Sequence, residues 1–152
     1  MATETKTTPK SYAFDIKGPY LSEGRVNIDL AKEEVLWLSL KINAEGGENA
    51  VHAHMQEEHS FIVLEGEVTF FDKDGKGTVL HKHQGIMIPK GAHYRYLNTG
   101  GENLFLLRVG AKLGGGSEQE TRLKPDGTPI PSYTAENHHI EGVPIPGKMF
   151  GV

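Results

Sequence analysis

Short runs of branched and aromatic residues, each closed by a turn signal, recur about every ten residues from Glu34 to Val109. They read EVLWLSLKIN (34–43), VHAH (51–54), HSFIVLEGEVTFF (59–71), TVLHKH (78–83), GIMIP (85–89), YRYL (94–97) and NLFLLRV (103–109). AEGG, DKDGKG, Lys90-Gly91 and NTGG separate them. Such runs are too short for lone helices, and their spacing predicts an all-β sandwich or barrel. The 19 Gly and 8 Pro among 152 residues point the same way. The expected organisation is a polar N-terminal arm (1–11), one barrel domain (12–110) with weak edge strands near Gly18-Pro19 and Gly24, and a Gly/Pro-rich C-terminal arm (111–152). Ile130, Tyr133, Ile140, Val143, Ile145, Met149 and Phe150 give that arm more apolar side chains than a solvated tail carries. It is expected to lie on the barrel or on a partner subunit.

Several classes of function are disfavoured by charge and patterning. The net charge is −4 and no basic stripe is present, so nucleic-acid binding is not expected. FIVL (61–64) and LFLL (104–107) are too short to span a bilayer, and MATETKTTPK lacks the apolar core of a signal peptide. A cytoplasmic, membrane-free location is the expectation. With no cysteine, a metal site here must use His, carboxylate or Tyr.

Three histidines fall within eight positions, at His52, His54 and His59. Alternation along a strand sets His52 beside His54 and turns Val51 and Ala53 away. His59 opens the next strand and shares its face with Phe61 and Val63, so it points to the apolar interior. Three buried neutral imidazoles would each need a hydrogen-bond partner, which favours a metal over an ordinary core. Imidazole suits Zn, Cu, Fe and Ni, and one divalent ion per chain (Fe, Mn, Ni, Cu or Zn) is expected.

These residues resemble the first motif of the cupin superfamily, G-x5-H-x-H-x4-E-x6-G. Gly46, His52, His54, the position of His59 and Gly66 match it, with VLEGEV following. His59 stands where most cupins carry Glu. The second motif, G-x5-P-x-G-x2-H-x3-N, is met by Pro89, Gly91 and Asn98 in GIMIPKGAHYRYLN, with its leading Gly displaced to Gly85. The resemblance implies a double-stranded β-helix, or jelly-roll, barrel and a fourth ligand at His93 or Tyr94. Ungapped spacing and strand alternation favour Tyr94. Ligand chemistry favours His93, because a phenol of pKa about 10 must lose its proton to bind strongly.

The other candidates carry weaker signals. Phe61, Tyr96, Trp37 and Met87 read as core, and Phe61 and Tyr96 also as pocket wall. Arg108 interrupts an apolar strand and would fork a carboxylate or phosphate if it faced the pocket. Arg95 is a second notable cation. Glu57 and Glu58, in the turn MQEE, read as solvated acids; His81 and His83 as a solvated edge; His138 and His139 as surface or subunit contacts. The resemblance implies a homodimer binding a small molecule. An all-histidine shell is similar to that of dioxygenases cleaving β-diketone-like substrates. A ligand-sensing module without turnover and a sugar or sugar-phosphate isomerase are the alternatives.

Overall fold

Each run of branched residues becomes a strand, because such side chains pack well on a pleated surface. The computed structural model describes residues 8–132, 134 and 139–152; Tyr133 and His138 lie outside the described residues. In chain order the strands are β1 (Gly18–Glu23), β2 (Arg25–Lys32), β3 (Leu36–Asn43), β4 (Gly47–His54), β5 (Glu57–Glu65) and β6 (Glu67–Asp72). They continue with β7 (Gly77–His81), β8 (Gly85–Ile88), β9 (Tyr94–Asn98), β10 (Leu104–Lys112), β11 (Arg122–Leu123) and β12 (Val143–Phe150). A single helical turn, α1 (Glu118–Thr121), precedes β11. The fold is all-β, a jelly roll of two antiparallel five-stranded sheets, ordered β2-β3-β10-β5-β8 and β11-β4-β9-β6-β7. A two-stranded ribbon, β1-β12, accompanies them. No helix among the described residues is long and apolar enough to cross a membrane.

Strand β10 divides its side chains between two cores. Leu104 and Leu106 join Phe61, Val63, Val68, Phe70 and Tyr96 between the sheets. Phe105, one residue out of phase, packs with Leu21, Leu40 and Ile42, and Phe150 packs against that group. The period of two therefore sends Arg108 to the same side as Leu104 and Leu106. In β3 the phase is the reverse of what its composition suggests: Leu40 and Ile42 face the outer cluster, while Lys41 and Asn43 line an interior pocket.

The run expected as one strand from 59 to 71 is two. Gly66, at φ 91°, breaks it where a Cβ would lie 2.7 Å from the Asn103 carbonyl oxygen. Met87, expected in the core, is 67% exposed. It lies on edge strand β8, whose Ile86 and Ile88 take the inward positions. Trp37 is half-buried and lies across Gly110, where a Cβ would meet the indole at 2.2 Å. Beyond Gly110, β11 pairs with β4 (Arg122 opposite His54) and β12 pairs with β1 (Gly18 opposite Phe150). Ile130 is fully buried.

Candidate metal centre

Strand alternation delivers the three histidines together. His52 and His54, two apart on β4, have ring centroids 5.1 Å apart, and His59 on β5 brings its ring to 4.2 Å from that of His54. All three are buried. The turn between the strands is only Met55-Gln56, so Glu57 belongs to β5 and shares a face with His59. Its Oε2 lies 2.8 Å from His59 Nε2 and 3.5 Å from His54 Nδ1. This corrects the solvated-acid reading of Glu57 and sets a carboxylate beside the histidines. One ligand atom each from His54, Glu57 and His59 lie within 4.8 Å of one another.

The proton positions suit a cation. A carbonyl only accepts, so His52 Nδ1–H donates to the Ala50 oxygen at 2.8 Å, and Nε2 lies 3.2 Å from Glu48 Oε2. Burial holds His54 in its neutral form, with the His59 and Arg108 charges adding to the effect. Burial likewise brings His59 down to about 4, against the opposing hydrogen bond to Glu57. Burial opposes ionisation of Glu57, yet the His59 hydrogen bond and the His59 and Arg108 charges hold its carboxyl below the usual range. Neutral imidazoles beside an ionised carboxylate are the species a divalent ion binds. Ligand distances of about 2.1 Å around a tetrahedral ion set donors roughly 3.5 Å apart, so modest contraction of the group would accommodate one.

At the fourth position the structure brings Tyr94, not His93, to the histidines. The Tyr94 ring is 4.5 Å from His52, and its hydroxyl is 3.4 Å from both His54 Nε2 and Glu48 Oε2. Burial and then Glu48 raise its phenol well above the usual value, so it stands as a neutral O–H donor. His93 is half-buried just before β9, and among the described residues no hydrogen bond or ring contact joins it to His52, His54 or His59.

Beside this group lies a cavity of about 280 Å³. Tyr96 and Arg108 line it with His54; Phe61 is fully buried, its ring 5.8 Å from that of Tyr94 and 6.3 Å from that of His59. Arg108 Nη2 lies 3.2 Å from both ring nitrogens of His59, and its buried Nε has no hydrogen-bond partner. Lys41 Nζ pairs with Glu48 Oε1 at 2.6 Å. Burial lowers Lys41 to about 8, with Glu48 opposing and Arg108 assisting. Burial resists the charge on Glu48, but Lys41, His52 and Arg122 hold it well below the usual range. Arg122 donates to the Ile130 carbonyl and places Nη2 3.9 Å from Glu48. Arg25 Nε bonds His139 Nδ1 at 2.9 Å, and both line the cavity mouth.

The remaining candidates stand apart. Arg95 lies over the Phe71 ring, 4.2 Å from its centroid. His81 is exposed and bonds Glu67 at 3.0 Å. Glu58 Oε2 accepts from the Lys90 backbone at 3.3 Å.

The family profile described as a cupin domain matches residues 40–110. Residues 40–110 form a cupin domain. No curated protein matches it by sequence. Solved structures sharing the fold include the cupin domain of Schizosaccharomyces pombe Cnp3, with 22% identity, TM-score 0.54, and 58% of this chain and 61% of that one covered. KdgF from a Halomonas species has 13% identity and TM-score 0.58, with 67% and 94% covered. A predicted oxalate decarboxylase from Thermotoga maritima has 22% identity and TM-score 0.53, with 59% and 81% covered. In this cupin domain, His59 takes the place of the motif's glutamate, and Glu57 sets a carboxylate beside it from two residues earlier on the same strand face.

Proposed function

We propose that this cupin-domain protein is a metal-dependent enzyme acting on a small organic molecule by O₂-dependent, dioxygenase-type chemistry. The observation that carries the reading is the His54–Glu57–His59 group beside a cavity of about 280 Å³. That cavity, of about 280 Å³, is just below the ligand-pocket range of about 300–1,000 Å³ and suits a small metabolite. A bound Fe, Mn, Ni, Cu or Zn ion would supply Lewis acidity and, for the redox-active members, a place for O₂ to react. His54, Glu57 and His59 would hold it, with His52 alongside. The Tyr94 hydroxyl donates towards the site, Arg108 orients substrate and fixes His59, and Phe61 keeps water from beneath. The test is metal analysis followed by oxygen-electrode assays of Fe-, Mn-, Ni- and Cu-loaded protein against 1,3-dicarbonyl, catechol-like and carboxylic-acid compounds. Metal-dependent O₂ uptake is the expected result; turnover unaffected by removal of O₂ would overturn the reaction type.

A second reading is proton-transfer isomerisation of a sugar or sugar phosphate. It is favoured by the buried Lys41–Glu48 pair beside His52, which offers an acid and a base in one cavity. Anaerobic turnover of an aldose or its phosphate, lost in Glu48→Gln, is its signature.

A further inference from the structure

The charges in the cavity do not match. Deep in it Glu48 is the one carboxylate among the described residues, and Lys41 already pairs with it at 2.6 Å. At the mouth, Arg25 has Glu141 nearby as the matching carboxylate. Arg108 has no carboxylate in direct ion-pair contact among the described residues; Glu57 acts on it from across the His59 ring. Its register opposite Phe61 on β5 and Ser39 on β3 holds it inside the barrel. Its only hydrogen-bonding contacts there are the ring nitrogens of His59, and its Nε is buried without a partner. A guanidinium nitrogen kept from water with no acceptor is costly unless an anion completes the fork, and a carboxylate fits it.

We infer that the substrate is a small carboxylic acid, not a neutral diketone: its carboxylate docks on Arg108, and a second oxygen faces the His54–Glu57–His59 group. The inference rests on the proposed metal-dependent reading of the site. Arg108 spans both halves of it, touching His59 on one side and lining the cavity on the other. A molecule with a carboxylate and a second oxygen two or three bonds away, such as a short dicarboxylate or a 2-oxo acid, fits both requirements. Lys41 adds a positive field from the same wall. Lys41 is buried and the Arg108 Nε is shielded from solvent, so these charges act at lower effective dielectric than at the surface.

The experiment is isothermal titration calorimetry on chelator-treated protein with malonate, its uncharged analogue malonamide, and inorganic phosphate. Malonate is expected to bind, malonamide not to, and added salt to weaken the affinity. Arg108→Gln, checked for folding by circular dichroism, should weaken malonate at least tenfold, with part recovered in Arg108→Lys. Equal binding of malonate and malonamide, binding of phosphate alone, or no effect of Arg108→Gln would each overturn the assignment. Malonate binding by a protein that takes up no divalent metal would leave the anion site standing and sink the metal-dependent reading instead.

Discussion

Glu57 Oε2 and His59 Nε2 are 2.8 Å apart, on residues two apart in one strand, with a shared proton between two groups that can both bind metal. A divalent ion would displace that proton. Glu57→Gln is therefore expected to weaken divalent-metal affinity tenfold or more while leaving the fold intact. Competition with a chromophoric chelator measures it, and an unchanged affinity would remove Glu57 from the ligand set.

Tyr94 and His93 separate by the same method. Because Tyr94 faces the histidines and His93 does not, His93→Ala should retain metal. Tyr94→Phe should hold metal almost as well, since a neutral phenol is a weak ligand, and should change turnover more than affinity. Loss of metal in His93→Ala on mild chelation would reverse this placement.

Acid should destabilise the metal-free protein. His59 is held down to about 4 against an ordinary 6.5, and His54 is shifted in the same direction. Below about 6.5 the unfolded chain takes up protons that the folded chain refuses. Stability is thus full above that value and is lost as pH falls towards 4, by about 1.4 kcal/mol per pH unit for each histidine. Glu57, held below its ordinary value, contributes a further loss at still lower pH. Urea unfolding of chelator-treated protein from about pH 7 to about pH 5 reads the slope, which His59→Asn should reduce. A flat profile would contradict the burial of neutral imidazoles.

The Lys41–Glu48 pair makes a separate prediction. Lys41→Met leaves a buried carboxylate without its close ammonium partner, with His52, Arg122 and the Tyr94 hydroxyl still near it, and should cost about 3 kcal/mol or more. Lys41→Met/Glu48→Gln should recover much of that loss. Denaturant midpoints decide, and a single variant as stable as the parent would show that water reaches Glu48.

The histidine triad was legible because a strand's period of two is rigid: the H-x-H spacing and the position of His59 leave little freedom. Glu57 was missed because MQEE reads as a turn, whereas the chain reverses in two residues and returns the second pair to the strand. The same i, i+2 rule, started one pair earlier, would have found it. Lys41 and Glu48 were hidden for a different reason. In LSLKIN the apolar residues suggest the core side, but the β1-β12 ribbon covers a second apolar face, and the polar residues turn inward. Arg122 reaches the site through the pairing of β11 with β4, a contact no local pattern announces in a Gly/Pro-rich stretch.

Trp37 carries a consequence of another kind. It is the chain's only tryptophan, pinned across Gly110 with its ring 5.8 Å from that of His59. Its emission is therefore a native spectroscopic probe of the metal centre. Iron or copper uptake should quench it while zinc leaves it bright, so occupancy, exchange rates and the arrival of a small acid can be followed in the unlabelled protein by its own light.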